Sequence, residues 1–164
     1  MSEWPMLTDH FSFQEMTVTS RADLQERNRD YAMGVLKDLT ATAELLEVLR
    51  AEVGPIVVHS GYRCPALNLM TPGSSPRSQH MLGQAADISL GGAQTFERVD
   101  WLFQKARALF ARNKVGFGQL IREQKNDSVW VHVSLGAPWR EAAKCGQVLV
   151  MENGLYRTVE VLLY

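Results

Sequence analysis

The chain has 164 residues, 46% of them hydrophobic and 21% charged, which suits one globular domain that buries a core without disulfide staples. With 17 basic and 18 acidic side chains the formal net charge is −1, so no basic stripe points to nucleic acid and no acidic tail to a solvating segment. No apolar run approaches the ~20 residues that span a bilayer, and Met1-Ser2-Glu3-Trp4-Pro5 lacks the basic and apolar regions of a secretion signal.

In chain order, Ser12-Phe13-Gln14-Glu15 has the spacing of a capping box and predicts a short helix. Thr17 to Arg29 is polar and reads as a loop with at most one helical turn, and Asp30 as an N-cap. Val35, Leu36, Leu39, Ala43, Leu46, Leu49 and Val53 recur at helical spacing, and Gly54-Pro55 ends that helix. Ile56 to Ser60 is dense in β-branched residues and predicts a strand. Cys64 to Arg77 carries Pro65, Pro72, Gly73 and Pro76 and reads as a long connection of the kind kept for function.

Ala85 to Leu90 predicts a buried strand, apolar apart from Asp87. Thr95 to Asn113 predicts an amphipathic helix with Phe96, Val99, Leu102, Phe103, Ala106, Leu109 and Phe110 on one face. Gly118 to Arg122 and Val129 to Ser134 read as a hairpin joined through Lys125-Asn126-Asp127. A second hairpin, Gln147 to Glu152 and Leu155 to Val161, turns at Asn153-Gly154. Early helices, one inserted helix and late strands predict an α+β fold, with N-terminal helices packed on a central antiparallel sheet. Residues 1–164 are read as one domain, the last strands joining the same sheet.

Three residues stand out chemically. His80, Asp87 and His132 supply two imidazoles and one carboxylate, the protein ligands of a catalytic zinc site with a fourth position left open. Asp87 lies in an apolar strand, where an ionised group needs a partner. That partner is a metal, an arginine, or the backbone of a turn. Alternation along Trp130-Val131-His132-Val133-Ser134 puts Val131 and Val133 on one face and Trp130, His132 and Ser134 on the other. A lone strand histidine is more often structural than ligating. His10 and His59 fit no ligand spacing and read as structural. Cys64 and Cys145 read as free thiols.

Taken together, Ser60-Gly61-Tyr62-Arg63, Ser78-x-His80-x-x-Gly83-x-Ala85-x-Asp87 and Trp130-x-His132 occur in an order that resembles the LAS-type zinc peptidases. That family includes D-alanyl-D-alanine carboxypeptidases, D-Ala-D-Ala dipeptidases and phage L-alanyl-D-glutamate endopeptidases. The likeness is to its compact peptidoglycan-cleaving branch, found in phages and prophages, and it covers roughly Ile56 to Leu135. It implies a Hedgehog-like peptidase fold and Zn2+ held by His80, Asp87 and His132. It implies that Arg63 faces the scissile carbonyl and that Ser78 and Gln79 help position substrate or ligand. Gly83 and Ala85 would permit close packing beside the metal, and Trp130 would line the cleft.

Many members of that family place a Glu or Asp three residues before the last histidine. Here that position is Val129. Glu123, at the end of Gln119-Leu120-Ile121-Arg122-Glu123, is the candidate base in its place, with Asp127 second. The implied substrate is the stem peptide of bacterial peptidoglycan. The expected activity is that of an endolysin-type endopeptidase, with a D-Ala-D-Ala carboxypeptidase or an inactive wall-binding module as alternatives. The chain is expected to be a monomer made in the cytoplasm without a signal peptide. It would act on the wall after release, or as a virion component, with no membrane insertion and no nucleic-acid partner.

Overall fold

The computed structural model describes residues 4–164. Ser12 caps α1 (Phe13–Met16) and forms the full capping box with Glu15. A 3₁₀ turn over Ala22–Leu24 leads into α2 (Gln25–Ala32), a second over Met33–Val35 follows, and α3 (Leu36–Val53) completes the N-terminal part. The polar stretch read as a loop is therefore mostly helical, and Asp30 lies inside α2 instead of capping a helix.

The reason is Asn28. Its buried side chain donates to the carbonyls of Thr17 (2.9 Å) and Tyr62 (3.1 Å) and accepts from the Cys64 N–H (2.7 Å). These tertiary bonds hold a helix that has almost no apolar stripe of its own.

In α3 the buried stripe is Leu39, Ala43, Leu46 and Leu49. The helix ends at Gly54, at φ +84°. The chain then forms β1 (Ile56–Ser60), α4 (Pro65–Leu69) and β2 (Ala85–Leu90). The connection after Cys64 thus contains one short helix, with proline at its first turn, where a missing N–H costs nothing. α5 (Phe96–Asn113) is capped by the Thr95 side chain. It buries every apolar residue of the predicted face except Phe96, which is 40% exposed and covers the Arg122 guanidinium at 4.6 Å.

β3 (Gln119–Lys125), β4 (Ser128–Ser134), β5 (Gln147–Glu152) and β6 (Leu155–Val161) complete a six-stranded sheet of order β1-β2-β4-β3-β5-β6. Both predicted hairpins form. The sheet is not wholly antiparallel, however, because β5 runs parallel to β3. After β4 the chain returns to the start of β3, where the N–H groups of Gly146 and Gln147 donate to the carbonyls of Phe117 and Gly118. Alternation along a strand sets its faces but not its neighbours, so this pairing is invisible in the sequence.

The main core lies between α3, α5 and one sheet face, which carries Ile88, Leu120, Val131, Val133, Val148 and Val150. The opposite face carries a smaller apolar cluster of Ile121, Leu149 and Met151, with Trp130 against it. That second face holds the site. Both cysteines are free. Among the described residues no helix is long and apolar enough to cross a membrane.

Candidate active site

Register brings the site together. Asp87 on β2 pairs with His132 on β4, and His132 pairs with Ile121 on β3. Cross-strand partners share a face, so Asp87, His132, Glu123 and Trp130 all project from the same side of the sheet. His80 arrives from outside the sheet, in a 3₁₀ turn over Gln79–Leu82 capped by Ser78. Gly83 ends that turn in the left-handed conformation, at φ +72°. It packs against α3, where a Cβ would meet the Leu39 nitrogen and Val35 at 3.2 Å, and its carbonyl accepts from Thr42 Oγ1 at 2.7 Å. Gly83 therefore fixes the turn to α3, and only through that turn does it serve the metal ligands.

The ligand atoms converge. His80 Nε2 is 3.2 Å from Asp87 Oδ1 and 3.3 Å from His132 Nδ1, and His132 Nδ1 is 2.9 Å from Asp87 Oδ1. Tetrahedral zinc with bonds of about 2.0–2.1 Å sets its ligand atoms about 3.3 Å apart, so the three groups fit the ion. His80 Nδ1 lies 2.7 Å from the Gly61 carbonyl. A carbonyl only accepts, so Nδ1 carries the proton and Nε2 presents its lone pair. Burial alone would raise the pKa of Asp87, but His80 and His132 more than reverse this and hold it well below the usual carboxylate range. Among the described residues this is the only cluster of three or more His, Cys, Asp or Glu groups placed to hold a metal.

A cleft of about 700 Å³ opens over this cluster. Arg63 lines it, with its backbone N–H on the His80 carbonyl (3.0 Å) and Nη2 on Ser78 Oγ (3.3 Å). Its Nε is buried with no partner. Burial lowers the pKa of this guanidinium, opposed by the charges of Asp87 and Glu123, so the three groups share one electrostatic field. Arg63 is placed by Asn28, which grips Tyr62 and Cys64 on either side of it.

Glu123 also lines the cleft. It stands opposite Trp130, one step along the face from the Ile121–His132 pair. Burial raises its pKa, opposed chiefly by His132. Val129 points into the core on the other face, so a carboxylate there would not reach the cleft. Asp127 sits exposed in the β3–β4 turn and does not line the cleft.

Ser78 accepts from the His80 N–H and from Arg63, so it positions both. Gln79 lines the cleft and uses both ends of its amide internally, donating to the Leu135 carbonyl (3.2 Å) and accepting from Arg140 (2.7 Å). Trp130 lines the cleft with a buried indole N–H that makes no hydrogen bond. Ser134 shares the cleft face but is buried, accepting from the Gln119 N–H. His10 binds Glu47, and His59 binds Ser89 and Gln94, so neither joins the cluster. Gly61 stands in the Ser60-Gly61-Tyr62-Arg63 motif but its contact with His80 is not readable there, and Asn28, Arg140 and the β5–β6 wall of Met151 and Tyr156 carry no motif at all. A buried Asn and a close-packed Gly leave no periodic signal, and the wall depends on the parallel pairing.

An α+β fold that gathers two imidazoles and a carboxylate under an open cleft, beside a buried arginine and a second carboxylate, defines a metal-dependent hydrolase. A sequence model of the peptidase M15 family matches residues 9–134, and the chain belongs to that family. The match takes in the N-terminal helices and all three candidate ligands, and stops short of β5 and β6. No curated protein matches the chain.

Proposed function

We propose that this protein is a zinc peptidase that hydrolyses peptide bonds in the stem peptides of bacterial peptidoglycan. Membership of the peptidase M15 family supports the substrate class. The convergence of His80, Asp87 and His132 in a cleft shared with Glu123 and Arg63 carries the reading. When bound, zinc supplies Lewis acidity that makes water nucleophilic at neutral pH and polarises a carbonyl.

The chain's own residues do the rest. Glu123 removes a proton from the attacking water and delivers it to the leaving amine. Its partly buried position favours a basicity above that of a free carboxylate. Arg63, which lines the cleft beside the candidate ligands, donates to the oxyanion that develops on the scissile carbonyl. Trp130, opposite Glu123 on the neighbouring strand, offers an aromatic face to the peptide. Ser78 holds Arg63 and the His80 turn in register.

The form we favour is an endopeptidase of the compact phage type, acting on polymeric wall as a lysis factor or virion component. Removal of a terminal D-Ala is the alternative. The test is release of new amino groups from purified peptidoglycan, with mass spectrometry of the fragments, for wild type, chelated protein and Glu123→Ala. Chelator-sensitive cleavage lost in Glu123→Ala is the expected result. A wild type that binds zinc yet cleaves no wall type would overturn the reading.

A further inference from the structure

We infer that Arg140 forms a carboxylate-binding subsite of the cleft, and that the substrate carries a free carboxylate within about three residues of the scissile bond. The inference rests on the peptidase reading above. Arg140 lies in the segment between β4 and β5, outside the family match, and its side chain lines the cleft.

Four observations support it. Arg140 Nη1 donates to Gln79 Oε1 at 2.7 Å, and Gln79 is itself anchored on Leu135, so the guanidinium is held in one orientation. Its Nε is buried without a partner. Its Cδ packs over Gly118, where a Cβ would come within 3.2 Å. And among the described residues it forms no ion pair: the adjacent Glu141 is turned to Lys144 at 2.9 Å.

A half-buried, oriented guanidinium with donors to spare recognises a planar anion. The carboxylates lining the cleft do not serve it. Asp87 belongs to the ligand cluster, and Glu123 shares its field with Arg63.

Position sets which carboxylate is read. Gly118 immediately precedes β3, and Ile121, opposite His132, is three residues along. Three residues of strand span about 10 Å, so Arg140 lies within about three residues of extended peptide from the ligand cluster. Glu123 and Trp130 lie toward the other end of the cleft. A bound peptide crossing the metal ligands therefore has one side toward Arg140. The carboxylate there is either the peptide's C-terminus or an internal side-chain or α-carboxylate of an acidic residue.

The test uses zinc-loaded full-length protein and the pentapeptide L-Ala-D-Glu-L-Lys-D-Ala-D-Ala in three forms: unmodified, amidated at the free Glu carboxyl, and amidated at the C-terminus. We expect one amidation to lower kcat/KM by about tenfold or more, the scale of a lost charged hydrogen bond. Arg140→Gln brings that ratio close to one, and Arg140→Lys retains part of it. Loss on C-terminal amidation identifies a terminal carboxylate, and loss on Glu amidation an internal one. Cleavage indifferent to both amidations overturns the subsite, and this arm needs no variant to fold. So does a preference that survives Arg140→Gln.

Calorimetric binding of the same peptides separates this inference from the peptidase reading. Acid-selective binding that depends on Arg140, with no peptide cleaved, keeps the subsite and sinks the peptidase. Cleavage without acid selectivity does the reverse. Neither cleavage nor acid-selective binding overturns both.

Discussion

The His80 imidazole donates through Nδ1 to the Gly61 carbonyl oxygen at 2.7 Å, and this bond decides which nitrogen faces Asp87 and His132 in the candidate metal cluster. Gly61 is itself pinned, because a Cβ there would sit 2.2 Å from the Met16 carbonyl oxygen. The next residue, Tyr62, donates its N–H to that same oxygen at 2.8 Å. The end of α1 thus orients a metal ligand through one glycine.

Gly61→Ala tests this. The backbone must move, and the His80 acceptor moves with it. We expect zinc affinity to fall about 10–100-fold, the range for loss of a ligand's supporting hydrogen bond, with a lower Tm. Zinc titration and thermal melts check both, and unchanged affinity would show that Gly61 serves packing alone.

Removing Arg63 separates binding from catalysis. A donor aimed at developing charge acts mainly on kcat. Arg63→Ala is expected to lower kcat about 100–1,000-fold with little change in KM. Arg63→Lys should recover only part, since an ammonium cannot span Ser78 and a carbonyl as the guanidinium fork does. Steady-state kinetics on a defined stem peptide decides. A change confined to KM would make Arg63 a binding residue instead.

Asn28 is expected to matter for both stability and rate. Its loss leaves the Thr17 and Tyr62 carbonyls and the Cys64 N–H without their partner. Asn28→Ala should cost about 2–3 kcal/mol, a fall in Tm of roughly 5–10 °C for a chain of this size. Because it also releases Arg63, kcat should drop in the protein that remains folded. A stable variant with full kcat would break the link between α2 and the active site.

Chelation should destabilise the fold as well as stop catalysis. Zinc at 100 times its Kd adds about 2.7 kcal/mol, so its removal should lower Tm by roughly 5–10 °C, reversed on adding zinc back. A Tm indifferent to chelator would mean that no metal occupies the cluster.

Acid should loosen the N-terminal segment. Burial by itself would raise the pKa of Glu47, but hydrogen bonds from Thr8 and His10 outweigh this and lower it. A carboxylate with a depressed folded pKa adds stability above its unfolded value, and that stability is lost as pH falls through the folded one. The Glu47 contribution should therefore be full above about pH 4.5 and vanish below it. Comparing Glu47→Gln with wild type by melts from pH 3 to 7 tests the sign: the gap should close at the acid end.

The elements with strong periodicity can be read directly from residue order. The stripe of α3, the face of α5, the Asn153-Gly154 hairpin and the alternation along β4 are all written in residue order, because period 3.6 and period 2 patterns select helix and strand locally. The triad His80, Asp87 and His132 was legible too, through its motif and the strand position of Asp87. The remaining features arise from long-range contacts. α2 exists because Asn28 finds its partners across the chain, and Asp30 is no cap because those partners form. Glu123 reaches the cleft because cross-strand register seats it opposite Trp130, on the face that carries His132. Arg140 meets Gln79 because β5 returns beside β3. Each of these depends on contacts between residues distant in sequence, which local patterns of hydrophobicity and charge do not encode.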